Sequence, residues 1–383
     1  MKILYVLNSG KYGGMEWHVY DLIKGMLKNG HEVFVWCPAG EMSELYRGLG
    51  AQVVDEKVRF DIDPWYISGL VNFIKKNSID IIHAHELKAV TNALLAGFFS
   101  KTKVRVSHTH TPISEWGIGK FIKFFTIVGY STIVNWCSSA EIALTESRKK
   151  AKIKEGIQEK KLVVIPNGLD TSKYDISPNQ RSDYEKEIKE KYGILTNAFI
   201  FGNVSRLTEE KGHALLIKAF DKFLKSDFFH QRDFYLLIAG GGLLEDKLRK
   251  LVEDLKLEGK VIITGSFDDS EKVKYYSTFD AFIFPSRSEG FGIVLLEALY
   301  MGLPTICSDL EVLKEIGDEV VSFFKTNDAD DLAEKMVNEY ERIGDSGKVI
   351  SDAAKMRVEK EYSMEKFVKN YLELYQKLLE ENK

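Results

Sequence analysis

Short apolar runs bounded by turn residues alternate along this chain with longer stretches of helical period. In the first half the runs fall at 3–7, 32–37, 79–83, 104–107, 132–136 and 162–165. A second set begins at 199–204 and continues at 235–239, 261–264, 281–285 and 304–308. Apolar runs without polar alternation are what strands buried on both faces of a parallel sheet require. The pattern predicts an α/β chain of two doubly wound, Rossmann-like domains facing across a cleft. Between the two sets, Ser177-Pro178-Asn179 leads into a charged segment that ends at Gly193 and has no apolar face wide enough for a core. The expected organisation is therefore a first domain at 1–178 and a linker at 179–197 carrying a short solvated helix. A second domain follows at 198–362. Residues 363–383 read as a closing helix: Phe367, Tyr371, Leu374, Tyr375, Leu378 and Leu379 keep helical spacing. This helix is expected to pack back toward the N-terminal domain.

Composition narrows the class. The 383 residues exceed what one core usually supports, and 44% hydrophobic with 29% charged residues suits a globular enzyme. Cys37, Cys137 and Cys307 lie far apart in apolar runs, which predicts reduced core residues and a cytoplasmic compartment. The opening MKILYVLNSG has no small-residue cleavage site and reads as a first buried strand rather than a leader. The longest apolar stretch, 116–137, is interrupted by Lys120, Lys123 and Asn135, so no membrane span is expected. Residues 1–178 carry 23 Lys and Arg against 18 Asp and Glu, and the remainder 30 against 39. A basic first half permits an anionic acceptor or a peripheral contact with the inner membrane face; ordinary scatter of surface charge explains it as well. The aromatics of 113–129 with Lys120 and Lys123 read either as an interfacial helix or as a buried crossover helix. The basic run 148–154 reads either as an aid to that contact or as a solvated face.

Three segments carry candidate chemistry. In the first, a strand ends in Ser286-Arg-Ser-Glu289-Gly290-Phe291-Gly292 and an apolar helix follows, with Glu297 about two turns in. Glycines allow backbone to approach a ligand, and the helix start offers unpaired N–H groups to phosphate. One carboxylate can face a sugar and the other ribose hydroxyls. The second segment, Gly202-Asn-Val-Ser-Arg206-Leu-Thr-Glu-Glu-Lys211-Gly212, places two cations where an open sheet binds its ligand. Arg206 supplies a fork and Lys211 a point charge for a diphosphate. In the third, Gly13-Gly14 follows the first strand; it lacks the GxGxxG spacing, so neither a dinucleotide fingerprint nor a nicotinamide dehydrogenase is supported, and the paired glycine reads either as a tight turn or as a close backbone approach to phosphate or sugar.

In this order and on these elements, the segments resemble the retaining, family-4 type of GT-B glycosyltransferase. GGMEWHVYDLIKGMLKNGHEV, DIIHAHE, IPNGLD, SRLTEEKG and SEGFGIVLLEALYMGLP each match a family block, nearly the length of the chain. The resemblance implies that Glu289 binds sugar hydroxyls and that backbone amides at Gly290, Phe291 and Gly292 contact the sugar. It puts Glu297 on the ribose, Arg206 and Lys211 on the diphosphate, and Gly14 close to it from the other domain. Gly240, Gly241 and Gly242 would line the nucleotide pocket. It also implies retention of configuration, no metal and no cofactor, the nucleotide-diphosphate sugar being substrate, with UDP favoured over GDP. The acceptor would be a glycan or a lipid-linked molecule in surface polysaccharide synthesis, and no nucleic acid is implied. One departure is Ser308-Asp-Leu-Glu-Val-Leu-Lys-Glu315, where the family often has Gly-Gly-x-x-Glu, so the loop beside the diphosphate is expected to contact the donor differently.

Two His-x-His pairs remain, His83/His85 and His108/His110. Such a pair suits a metal, but no Cys or carboxylate partner is evident, and none is expected to bind one. The resemblance puts a histidine of the second pair near the donor sugar; His108 is preferred, with His110 and Trp116 on the acceptor side. The triplets Asp61-Ile-Asp63 and Asp328-Ala-Asp330 lie away from the phosphate segments and are set aside as metal sites. Two alternatives stay open: a nucleotide-sugar epimerase of the same architecture and a non-catalytic nucleotide-sugar-binding subunit.

Overall fold

The computed structural model describes residues 1–226, 232–343 and 351–382. The chain divides into two compact units, Met1–Gly168 with Met364–Lys383, and Leu169–Ser363. The first holds seven parallel strands: β1 (Lys2–Val6), β2 (Glu32–Cys37), β3 (Gln52–Asp55), β4 (Ile81–His85), β5 (Val104–His108), β6 (Ala140–Ala143) and β7 (Leu162–Val164). Their order is β3-β2-β1-β4-β5-β6-β7. The second holds β8 (Phe199–Val204), β9 (Phe234–Ala239), β10 (Val261–Ile263), β11 (Ala281–Phe284), β12 (Thr305–Ser308) and β13 (Ser322–Phe324), ordered β10-β9-β8-β11-β12-β13. Strand order reverses at β1/β4 in one sheet and at β8/β11 in the other, and a doubly wound sheet binds its ligand at the carboxyl ends of such a pair. These two points locate the candidate chemistry.

The apolar runs found in the sequence form the central strands, and Ile3, Leu4, Tyr5, Val6 and Leu7 are fully buried. Run 132–136 is an exception. It forms the end of a helix, Lys120–Cys137, in which Tyr130, Val134 and Cys137 turn inward at helical spacing. The strand expected there is instead Ala140–Ala143, a short segment with a charged residue in its middle. The strand near 79–83 lies two residues later, which puts His85 at its C-terminal end. β3 and β13 carry too little apolar sequence to stand out.

The expected linker is also different. The boundary falls after Gly168, and Pro178–Tyr192 is a helix of the second unit, with a Ser177/Gln180 capping box and Gly193 as a left-handed C-cap. Its narrow buried face, Ile188 with Lys189, suffices for one packing partner, the helix Lys272–Thr278, where Tyr192 and Tyr275 hydroxyls meet at 3.0 Å. The helix Met364–Glu381 belongs to the first unit and places Phe367, Tyr371, Leu374, Tyr375 and Leu378 in its core.

The basic run 148–154 is neither a continuous solvated face nor a continuous lipid-facing one. Arg148 pairs with Glu115, and Lys152 is wholly buried with Glu141 on β6. Lys152 Nζ also donates to Thr109 Oγ1 at 2.9 Å and the Ile142 carbonyl at 2.8 Å, while Tyr130 donates to both Glu141 oxygens. Removing one member of a buried pair leaves an uncompensated charge. Lys152→Met is expected to lower unfolding free energy by about 3–5 kcal/mol, read by urea denaturation; a change under about 1 kcal/mol would mean that Glu141 is satisfied without it.

Candidate active site

In the second unit, β8 runs through Ser205-Arg206-Leu207-Thr208 into a short turn, Glu209–Lys211, then Gly212 and the helix His213–Leu224. β11 runs through Pro285 and Glu289 to Gly292, which caps the helix Ile293–Tyr300. The two loops are tied together. The Arg287 amide donates to the Glu210 carbonyl at 2.7 Å, and Lys211 Nζ donates to Glu289 Oε1 at 2.5 Å. Ser286 Oγ donates to the same carboxylate oxygen at 2.8 Å. Gly212 has φ +73°, and a Cβ there would fall 2.1 Å from the Pro285 carbonyl oxygen, so the loops touch only because the residue is glycine.

Lys211 and Glu289 were expected to hold different parts of a ligand, and they hold each other. Their side chains are 17% and 8% exposed, and both bonds to Glu289 go to one oxygen, so each group keeps capacity for further partners. Arg206 is exposed on the same loop. Gly290 is half-buried beside Glu289, and Phe291 is buried against Tyr362. Gly292 has φ +99° and delivers the helix start to this corner.

Gly240, Gly241 and Gly242 follow β9; the first and third lie flat on the Arg206 loop and the second backs onto Ser266. A Cβ would sit 1.9 Å from the Ser205 carbonyl oxygen at Gly240, 2.2 Å from Ser266 Oγ at Gly241 and 2.7 Å from the Leu207 carbonyl oxygen at Gly242. What the geometry demands of these glycines is close packing, of Gly240 and Gly242 under the Arg206 loop and of Gly241 against Ser266. Glu297 is buried, accepting from Lys272 Nζ at 3.0 Å and from Tyr276 at 2.7 Å, and Lys272 pairs in turn with Asp269 at 2.9 Å. Burial opposes the charge on Lys272, but Glu297 and Asp269 outweigh it and hold its pKa above the ordinary value.

Sequence reasoning missed this pair of partners, because 268–272 reads as a solvated charged turn. It also missed His213. His213 Nε2 donates to Ser205 Oγ at 2.8 Å, Ser205 donates to Asn203, and Asn203 Nδ2 donates to the Ile283 carbonyl on β11. Burial, with Lys211 second, lowers the His213 pKa to about 4, so the ring is neutral and props the loop that carries Arg206.

In the first unit, Gly13 and Gly14 open the helix Gly14–Lys28. A Cβ on Gly14 would meet nothing within 4 Å, whereas one on Gly13 would strike Glu16 Oε2 at 2.3 Å. Burial, and then the charge of Glu16, push the Glu86 carboxyl up to about 7. His85 and His108 stand side by side in the β4/β5 register. His108 is fully buried, with both ring nitrogens unpartnered; His110 is half-buried and stacks on it at 3.9 Å. Of the two, His110 keeps surface toward solvent. Thr109 between them is pinned by Lys152, and Trp116 is half-buried against the core rather than displayed. Asp63 caps the helix Pro64–Asn77 by accepting from the Tyr66 amide, and Asp328 accepts from the amides of Asp330 and Asp331.

The fold and this site define an enzyme class, the glycosyltransferases of GT-B architecture. The structure superposes on a glycosyltransferase from Rickettsia africae with a TM-score of 0.84 at 23% identity, over 99% of this chain and 98% of that one. Anabaena HepE, solved in complex with UDP, also gives 0.84, at 21% identity over 98% and 100%. The O-antigen biosynthesis glycosyltransferase WclY of Escherichia coli is 25% identical over 85% of this chain and 84% of its own length. The family pattern of Glycosyl transferases group 1 matches residues 185–355, and that of Glycosyltransferase Family 4 matches 12–173. The chain belongs to the group 1, family-4 type of glycosyltransferase.

Proposed function

We propose that this enzyme transfers a sugar from a UDP-sugar, with retention and with no metal at the diphosphate, to a lipid-linked or glycan acceptor in surface polysaccharide synthesis. The observation that carries it is the Lys211–Glu289 pair at the β8/β11 switch point, with Arg206 on the same loop and the helix start at Gly292 beside it. Negative charge develops on the leaving diphosphate as the glycosidic bond breaks, and Lys211, Arg206 and that helix end supply fixed positive partners without metal. Glu289 faces the sugar. Support for the donor and acceptor comes from relatives. HepE was solved with UDP-glucose, and an E. coli relative, 26% identical over 63% of this chain, is named UDP-Gal:alpha-D-GlcNAc-diphosphoundecaprenol alpha-1,3-galactosyltransferase. Thermal unfolding tests the donor: UDP is expected to raise Tm, GDP and ADP to leave it within a degree or so, and the size of the UDP shift to be the same with and without EDTA. A UDP shift abolished by EDTA would refute the metal-free diphosphate site, and stabilisation by GDP alone would refute the choice of base.

A lipid-linked acceptor implies work at a membrane surface. Among the described residues, no helix is long and apolar enough to cross a membrane. The helix Lys120–Cys137 nevertheless leaves Phe121 76% exposed and Phe124, Phe125 and Ile122 more than half exposed, beside Lys120 and Lys123. Apolar side chains rimmed by lysine suit the interface of an anionic bilayer. The protein should co-sediment with phosphatidylglycerol vesicles and far less with phosphatidylcholine, and the double variant Phe121→Ser/Phe125→Ser should stay in the supernatant. Equal partitioning of wild type and variant would exclude this face.

A further inference from the structure

The geometry points to a transition-metal site in the first unit, built from His18, His85, His108 and His110 and taking a borderline divalent cation such as Zn²⁺. One ligand atom from each of the four imidazoles lies within 4.8 Å of every other. The elements dictate the meeting. His85 and His108 end neighbouring parallel strands in register, His110 follows two residues later, and the helix Gly14–Lys28 brings His18 onto the same corner. His18, His85 and His108 are 3%, 0% and 0% exposed, and His110 alone of the four is half-buried.

Two features separate this cluster from histidines that merely fill a core. First, buried imidazole nitrogens are normally hydrogen-bonded. Here His18 Nε2, His85 Nε2 and both nitrogens of His108 have no partner, on three rings whose centroids lie 5.0–5.5 Å apart. Second, the ring of His18 is already oriented. Its Nδ1 lies 2.7 Å from Asn167 Oδ1, and since that oxygen only accepts, the proton sits on Nδ1 and the buried, unpartnered Nε2 carries the lone pair. A hydrogen bond from the far ring nitrogen is how proteins usually fix a metal-binding histidine.

Spacing agrees. Zinc–nitrogen distances of about 2.0–2.1 Å in a tetrahedron put ligand nitrogens about 3.3–3.4 Å apart. His85 Nδ1 and His110 Nε2 already stand 3.3 Å apart, where the two rings share a hydrogen bond. An all-nitrogen set with no carboxylate selects zinc, cobalt, nickel or copper over magnesium or manganese. This is a different site from the diphosphate, where the proposed chemistry uses no metal.

Equilibrium dialysis of the EDTA-treated full chain against Zn²⁺ tests it, with metal content measured per chain. One equivalent is expected for wild type and for His31→Gln, no retention of Mg²⁺, and a four-coordinate visible spectrum when Co²⁺ replaces zinc. His85→Gln and His18→Gln should each abolish the stoichiometric binding. If either variant fails to fold, Asn167→Ala decides, because it leaves all four ligands and should still weaken Zn²⁺ binding by about 10–100-fold. Wild type that binds no zinc, or His85→Gln and Asn167→Ala proteins that bind it as wild type does, would overturn the site.

Discussion

The contact between Lys211 and Glu289 holds the second unit's site together. These residues stand 78 positions apart, on loops from two strands that neighbour each other only because the sheet reverses direction there. The ammonium and the carboxylate are both mostly buried, so neither is well solvated without the other, and either one removed leaves a charge with poor compensation. Gly212 lets the loops approach, the Arg287–Glu210 bond closes them, and His213 braces the near loop through Ser205 and Asn203. The result is an array of donors and dipoles already in place before charge develops on a leaving group, which is the arrangement that stabilises a transition state rather than a ground state.

The first unit meets the same requirement with a deeper pair. Lys152 and Glu141 both bond to Thr109, the residue that separates His108 from His110 along the chain. Polar groups at the carboxyl ends of strands are thus held by ionisable partners in both units. The first unit goes further in leaving imidazole nitrogens unpaired in its interior. Such groups are costly in isolation, and their gathering at a switch point marks them as ligand-facing rather than as packing.

Much of this was legible in the sequence, for identifiable reasons. Central strands announce themselves as uninterrupted apolar runs, as at β1, β8 and β11. Where the signal failed, a tertiary contact had overridden a local pattern. Val134 and its β-branched neighbours look like a strand but are helical because Tyr130, Val134 and Cys137 share an inward stripe. β6 was hidden by Glu141, a charge that belongs in a strand only because Lys152 reaches it from another element. Pro178–Tyr192 looked like a linker because its buried face is two residues wide. Lys211 and Glu289 were readable as motif residues, but their pairing was not, since spacing along a chain says nothing about which loops the sheet makes adjacent. His18 lies on the face of an amphipathic helix that reads as ordinary core, and only the fold sets it against His108 and His110 at ring distances of 5.0 and 4.9 Å.

The central claim is that Lys211 stabilises the departing diphosphate rather than the fold. The direct measurement is kcat/KM for UDP release from the UDP-sugar donor, for wild type and Lys211→Ala, with unfolding followed in parallel. The account predicts a fall of about 10²–10³-fold, carried mainly by kcat, in a protein that still folds. A folded Lys211→Ala enzyme turning over at the wild-type rate would contradict it.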